Sequence, residues 1–224
     1  MRKVISLFLK GIIFLCSMTG ITLAVVFRMP LTTTLMYFTN QSNVWISFTC
    51  LAFLILNLIE LKKGVKLIKK WMYILKYMFT VSITITCLVF CVILAPISSD
   101  YIEPWSLESI LVHVIVPILS IVDLFVEEKR YNISLKHSFF ALIPPTCYLI
   151  FATICFFNNL DFGYGLNYPY FFLDWGSPVG VFGISNNEPY LGTFYWIMML
   201  LIVFYSISII YFILLKKEKR CYEN

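Results

Sequence analysis

Six apolar stretches, at about residues 4 to 27, 42 to 61, 71 to 95, 107 to 126, 137 to 157 and 191 to 215, take up most of the 224 residues. Each is close to the roughly 20 residues that a helix rising about 1.5 Å per residue needs to cross about 30 Å of hydrocarbon. Lipid offers the backbone no hydrogen-bonding partner, so a spanning segment is either a helix or a strand of a closed barrel. The runs are continuous and lack the alternation of barrel strands, which leaves helices. The chain is expected to be all-α and polytopic, a six-transmembrane-helix bundle forming a single membrane domain over residues 1–224.

With 60% hydrophobic residues, 13% charged and a mean hydropathy of +0.87, the sequence carries more apolar surface than a water-soluble core of this size can bury. No internal repeat or low-complexity tract suggests a second domain. The net charge of +5 follows membrane topology, not a nucleic-acid footprint. Arg2 and Lys3, Lys62, Lys63, Lys66, Lys69 and Lys70, Lys129, Arg130 and Lys136, and Lys216, Lys217, Lys219 and Arg220 make fourteen basic residues on one set of connections. The other set holds Arg28 with Asp100, Glu103, Asp161, Asp174 and Glu188. Both termini are therefore predicted to be cytoplasmic, and no nucleic-acid partner is expected. Lys10 and Lys76, within two turns of the basic side, are expected to snorkel toward it.

The first apolar run is longer than a signal-peptide core and ends without a small-x-small pattern, so it is read as a retained helix. Cys16, Cys50, Cys87, Cys91, Cys147 and Cys155 lie within spans and are expected to be free, buried, small apolar residues. Cys87 and Cys91 are one helical turn apart, but lack a His or a second Cys pair, so neither a metal site nor a cofactor is expected. Cys221 stands beside basic residues, a setting for acylation in a suitable host, and is read as unmodified.

Polar residues gather at the other ends of the spans. Thr39, Asn40, Gln41, Ser42 and Asn43 are five consecutive hydrogen-bonding side chains just before the second apolar run. One of Thr39, Asn40 or Ser42 is expected to cap the free N–H groups of that helix. Thr39 and Asn43, four apart, share a face if the helix begins early. His113 lies about two turns into the fourth span, where an ionisable side chain should face the bundle interior or a wet cavity. His137 stands at the cytoplasmic start of the fifth span beside Lys136, where it is read as solvated. The longest connection, about 158 to 190, holds Tyr168, Pro169, Tyr170, Phe171, Phe172, Leu173, Asp174 and Trp175. Such aromatic density suits the headgroup level and is read as an interfacial lid. Gly176, Pro178, Gly180 and Gly183 mark turns, without the strand-then-helix setting of a phosphate loop.

The run Phe38 to Asn43, the stretch His113 to Pro117 continuing to Asp123, and the run Tyr168 to Asp174 resemble bacterial relatives of the androgen-induced membrane protein family. The resemblance spans the six-helix layout, though animal members carry other residues at 40 to 43 and a different His-to-Pro spacing. It implies a multi-pass protein of a bacterial plasma membrane with threonine-hydrolase chemistry on lipid esters, Thr39 matching the family nucleophile and His113 its histidine.

The residue chemistry is compatible with that. A threonine hydroxyl needs a base to take its proton, and a neutral imidazole is the usual one. First-turn N–H groups, with Asn40, Gln41 or Asn43, are candidate oxyanion donors, and Tyr168, Tyr170 and Asp174 candidate substrate contacts. Asp123, ten residues beyond His113, is about 15 Å away by helical rise and too far to orient it. Asp174, Glu108, a hydroxyl or a water would have to do so. Three classes stay open on the residues: a lipid-ester hydrolase or acyl transferase, a small-solute or lipid carrier, and a non-catalytic membrane scaffold.

Overall fold

The computed structural model describes residues 2–97, 103–127, 131–187 and 190–223, with side chains in the last helix described as far as 217. Asp100, Lys129, Arg130, Glu188, Lys219, Arg220 and Cys221, invoked above for topology or acylation, fall outside the described residues or side chains. Six helices are long and apolar enough to cross a membrane: α1 (Arg2–Phe27), α2 (Phe38–Lys63), α3 (Lys70–Ile97), α4 (Leu107–Val126), α5 (Leu135–Phe157) and α6 (Thr193–Glu223). Among the described residues there is no strand, only an isolated bridge between Ile184 and Leu191. The protein is an integral, multi-pass helical membrane protein.

Exposed side chains such as Phe8, Leu15, Val92, Ile150, Ile154, Ile202 and Ile213 lie on the outside of the bundle, as expected where lipid replaces water. Inside, α1 packs on α2 and α4, and α3 on α2 and α4, making a four-helix core with α5 and α6 set against α3. The inner face of α1 reads Ser6, Lys10, Ile13, Ser17, Gly20, three or four apart and therefore on one side. Ile13, Ile46, Cys50, Ile83 and Val116 interlock at its centre. The α3–α5–α6 seam is tied by Tyr77, whose hydroxyl lies 2.7 Å from Ser208 Oγ, and the Ser208 hydroxyl donates to the Ser138 carbonyl at 3.0 Å.

Four residues separate the start of α2 from the start of its apolar run, so Thr39 to Asn43 sit inside its first two turns. The helix ends at Gly64, whose left-handed φ of 66° lets its N–H bond the Glu60 carbonyl at 2.9 Å, a glycine stop. Two helices contain π turns, Phe90–Leu94 in α3 and Leu111–Ile115 in α4. Such one-residue register slips concentrate at functional sites.

At the end where α1 and α3 begin and α4 finishes, the expectation for the two intramembrane lysines is overturned. Lys10 and Lys76 are fully buried and do not snorkel. Lys10 Nζ lies 3.0 Å from Asp123 Oδ1 and 2.5 Å from Glu127 Oε2, and Lys76 Nζ lies 2.5 Å from Asp123 Oδ2 and 2.6 Å from the same Glu127 oxygen. Ser6 Oγ donates to Asp123 Oδ1 at 2.6 Å. Two cations and two anions from three helices thus neutralise one another away from water, which removes the reason to reach for the interface.

Candidate active site

The opposite end of the core assembles the polar residues. The single helical turn Leu31–Thr34 leads into α2, whose N-cap position is Tyr37, and no side chain caps the helix. The expected capping by Thr39, Asn40 or Ser42 is therefore not what these residues do. Asn40 Nδ2 donates to the Thr34 carbonyl at 2.8 Å and Gln41 Nε2 to the Leu35 carbonyl at 3.0 Å, stitching the preceding turn to the helix. Asn43 Nδ2 donates to the carbonyls of Thr39, at 2.8 Å, and of Val112, at 3.0 Å, the latter inside the π turn of α4. Ser42 Oγ donates to the Thr39 carbonyl at 2.9 Å and meets Thr86 Oγ1 at 3.0 Å. Asn43 thus spends both of its amide N–H groups, and Asn40 and Gln41 one each, on carbonyls that hold the start of α2 in place.

That leaves the Thr39 side chain to look elsewhere. Its Oγ1 lies 3.3 Å from His113 Nε2, within the looser range of hydrogen-bonded catalytic groups before substrate binds. On the other side of the ring, His113 Nδ1 lies 3.0 Å from the Ser109 carbonyl and 3.1 Å from Ser109 Oγ. A carbonyl can only accept, so the tautomer that satisfies this contact carries its proton on Nδ1 and turns the lone pair of Nε2 toward Thr39. Thr39 is buried, at 8% exposure.

The Phe90 ring stacks on His113 with centroids 3.9 Å apart and planes 15° apart, and Trp105 meets Phe90 edge-on. Phe90 opens the π turn of α3 and His113 sits at the middle of the π turn of α4. The two slips bring the rings together. Gly20 makes the approach of α1 possible, since a Cβ there would stand 2.6 Å from Val112 Cγ1, next to His113.

The aromatic connection closes over this end. Tyr37 Oη donates to the Phe162 carbonyl at 2.8 Å, Tyr148 Oη donates to the Met36 carbonyl at 3.1 Å, and Thr193 Oγ1 donates to the Asp174 carbonyl at 2.8 Å. Tyr170 Oη receives the Thr39 N–H at 3.5 Å. Burial pushes the Tyr170 phenol above its ordinary range, against hydrogen bonds with Thr39 that pull it back, so it keeps its proton at neutral pH.

Thr39 and Tyr170 form part of the wall of two cavities. One, of about 90 Å³, lies in the seam between the core and the α5–α6 pair and is lined by apolar side chains including Phe38, Val89, Leu149, Leu200 and Phe204. The other, of about 340 Å³, includes Arg28, Asn40, Glu103, Glu108, Ser109 and His113 in its lining.

Of the residues singled out from sequence, Thr39, His113 and Tyr170 converge, and Asn40 lines the polar cavity. Gln41 and Asn43 support from behind. Tyr168 and Asp174 line neither cavity. Asp174 Oδ1 accepts from the Gly176 N–H at 2.9 Å in its own turn, and Glu108 accepts from Arg28 Nε at 2.7 Å. Neither carboxylate is the orienting group; Ser109 is. Asp123 is bound in the charge cluster at the far end. His137 forms a capping box with Ser134 at the start of α5, consistent with a role outside the site. Sequence reasoning missed Ser109, Phe90 and Tyr148. Ser109 was findable, being four residues before His113 and so on the same helical face. Cys16, Cys50, Cys87, Cys91, Cys147 and Cys155 are free thiols; Cys50 and Cys155 are buried as expected, whereas Cys16, Cys87 and Cys91 are only partly buried and Cys147 is exposed.

No family model, curated protein or solved structure matches the chain.

Proposed function

We propose that the protein is an intramembrane lipid-ester hydrolase with Thr39 as nucleophile and His113 as base, placed toward the outer face of a bacterial plasma membrane with both termini cytoplasmic. The observation that carries the reading is the chain of contacts Ser109 carbonyl, His113 Nδ1, His113 Nε2, Thr39 Oγ1. It gives the imidazole the tautomer a general base needs and aims it at a hydroxyl. Orientation rests on the charge bias of the connections. The resemblance to the androgen-induced membrane protein family supports the same pair, Thr39 and His113.

In the first step His113 Nε2 takes the Thr39 proton as Oγ1 attacks the ester carbonyl. The developing oxyanion has two donors within reach of Thr39, its own N–H and the Tyr170 hydroxyl, which at 3.5 Å hold each other only weakly before substrate arrives. His113 then gives its proton to the departing alkoxide. Water, deprotonated in turn by His113, releases the acid and restores Thr39. A lipid alcohol in place of that water makes the same site an acyl transferase.

The test is labelling of purified protein by a serine/threonine-directed fluorophosphonate, with long-chain ester hydrolysis measured in parallel. Thr39→Ala and His113→Ala should each abolish both activities while the helical content and melting behaviour stay near wild type, because nucleophile and base act as a unit. Hydrolysis by Thr39→Ala at the wild-type rate overturns the mechanism and moves the carrier and scaffold readings ahead.

A further inference from the structure

Resting on the hydrolase reading, the two cavities that meet at Thr39 also decide which way round an ester binds. His113 lines the larger cavity, polar by its charged side chains although apolar atoms make up most of its wall, and not the smaller, uncharged one. The leaving oxygen must receive its proton from His113 Nε2, and the water of the second step must give its proton to the same atom. Both therefore have to sit on the polar side of Thr39. The acyl chain, attached to the other side of the carbonyl carbon, is left with the apolar side. The linings agree with this assignment: the polar cavity carries Arg28, Glu103 and Glu108, while the lining of the other holds no charged residue.

We propose that the apolar cavity between the core and the α5–α6 pair is the acyl-chain site, and that the polar cavity receives the alcohol portion of the ester. Leu149, Ile197, Leu200 and Leu201 on the α5–α6 side are only half-buried, so an acyl chain enters there from the lipid. Ile197 and Phe204 are seven positions apart on α6, which at about 1.5 Å per residue gives the cavity a depth of about 10 Å below the ester. Tyr170, in the wall of both cavities, divides them. In the covalent step the C–O bond to the alcohol breaks as the Oγ1–C bond forms, the proton passes from Oγ1 through Nε2 to the leaving oxygen, and the acyl-threonine keeps its chain between the helices. Water then replaces Oγ1 at the carbonyl carbon.

The consequence is a polarity rule that does not depend on chain length. A charge at the far end of the acyl chain must enter an uncharged cavity inside the bilayer, whereas a charge on the alcohol enters the polar one. Two ester series with equal carbon counts test this, one carrying a trimethylammonium group at the end of the acyl chain and one carrying it on the alcohol. Relative to uncharged parents, kcat/KM should fall about hundredfold or more in the first series and less than tenfold in the second. Leu200→Trp, which narrows the apolar cavity, should lower kcat/KM for dodecanoyl relative to acetyl esters of one alcohol about tenfold, while the ranking of alcohols in one acyl series stays as in wild type. A charge penalty on the alcohol and not on the acyl chain overturns the assignment even if Leu200→Trp fails to fold, because that comparison uses wild-type protein. Absence of both hydrolysis and Thr39 labelling in wild type is a different result, which removes the hydrolase reading and this assignment together.

Discussion

Lys76→Met isolates the electrostatics of the enclosed charge cluster. It removes one of two cations and leaves the Lys10 ammonium facing Asp123 and Glu127 together, with Ser6 on Asp123. Cys50 is the further titratable group that interacts with Lys76. Removing one partner of a buried ion pair costs about 3–5 kcal/mol. A second route gives a similar figure. The surplus carboxylate can neutralise itself by taking up a proton, and at pH 7, about three units above the ordinary carboxylate range, this costs about 1.4 kcal/mol per unit, or about 4 kcal/mol. The expected loss of stability at pH 7 is therefore about 4 kcal/mol. Its sign with pH follows from proton counting: the folded variant binds one proton more than the unfolded chain, so the deficit against wild type shrinks as pH falls, to roughly 1–2 kcal/mol at pH 5. Lys76→Met combined with Glu127→Gln restores neutrality and should recover most of the loss. The assay is equilibrium unfolding in mixed micelles, followed by circular dichroism at both pH values. Wild-type stability of Lys76→Met at pH 7, or a deficit unchanged at pH 5, would refute the charge-balance argument.

Gly20→Ala places a Cβ 2.6 Å from Val112 Cγ1 and should cost about 1–3 kcal/mol by overpacking, read as a lowered melting point together with slower fluorophosphonate labelling. Phe90→Ala strips the ring stacked on His113 and should cost about 3–5 kcal/mol, with kcat falling more than KM changes in the protein that remains folded. Thr39→Ser keeps the hydroxyl and should retain labelling, and its turnover, like that of wild type, should fall on acidification as Nε2 gains a proton and can no longer accept one. Single-cysteine labelling should find position 64 cytoplasmic and position 186 outside; labelling of 186 only after permeabilisation reverses the proposed orientation.

The helices were legible because lipid imposes one requirement on every residue of a span, and about 20 apolar residues in a row answer it whatever the tertiary contacts. His113 was legible for the complementary reason: a polar side chain inside such a run carries a cost that a single helix cannot repay, so it announces a partner on another helix, whereas Thr39 was legible as the first of five consecutive polar side chains at the start of a span. The identity of the partner is where one-dimensional reading fails. Lys10 and Lys76 looked like snorkelling side chains because depth along a helix can be counted, whereas Asp123 and Glu127 arrive at that depth from a helix running the other way. The π turns at Phe90 and Leu111 are equally hidden, since one extra residue per turn hardly disturbs an apolar pattern that has no polar face to lose register against. Asn40, Gln41 and Asn43 were read as ligands of the substrate when they serve the carbonyls around Thr39. Residue type alone does not separate these roles, because a carboxamide donates equally well to a peptide carbonyl and to an oxyanion. What separates them is supply: the turn before α2 leaves the Thr34 and Leu35 carbonyls facing the side chains six residues on, and in lipid those carbonyls cannot be left to water. The same stitching holds Thr39 within reach of His113.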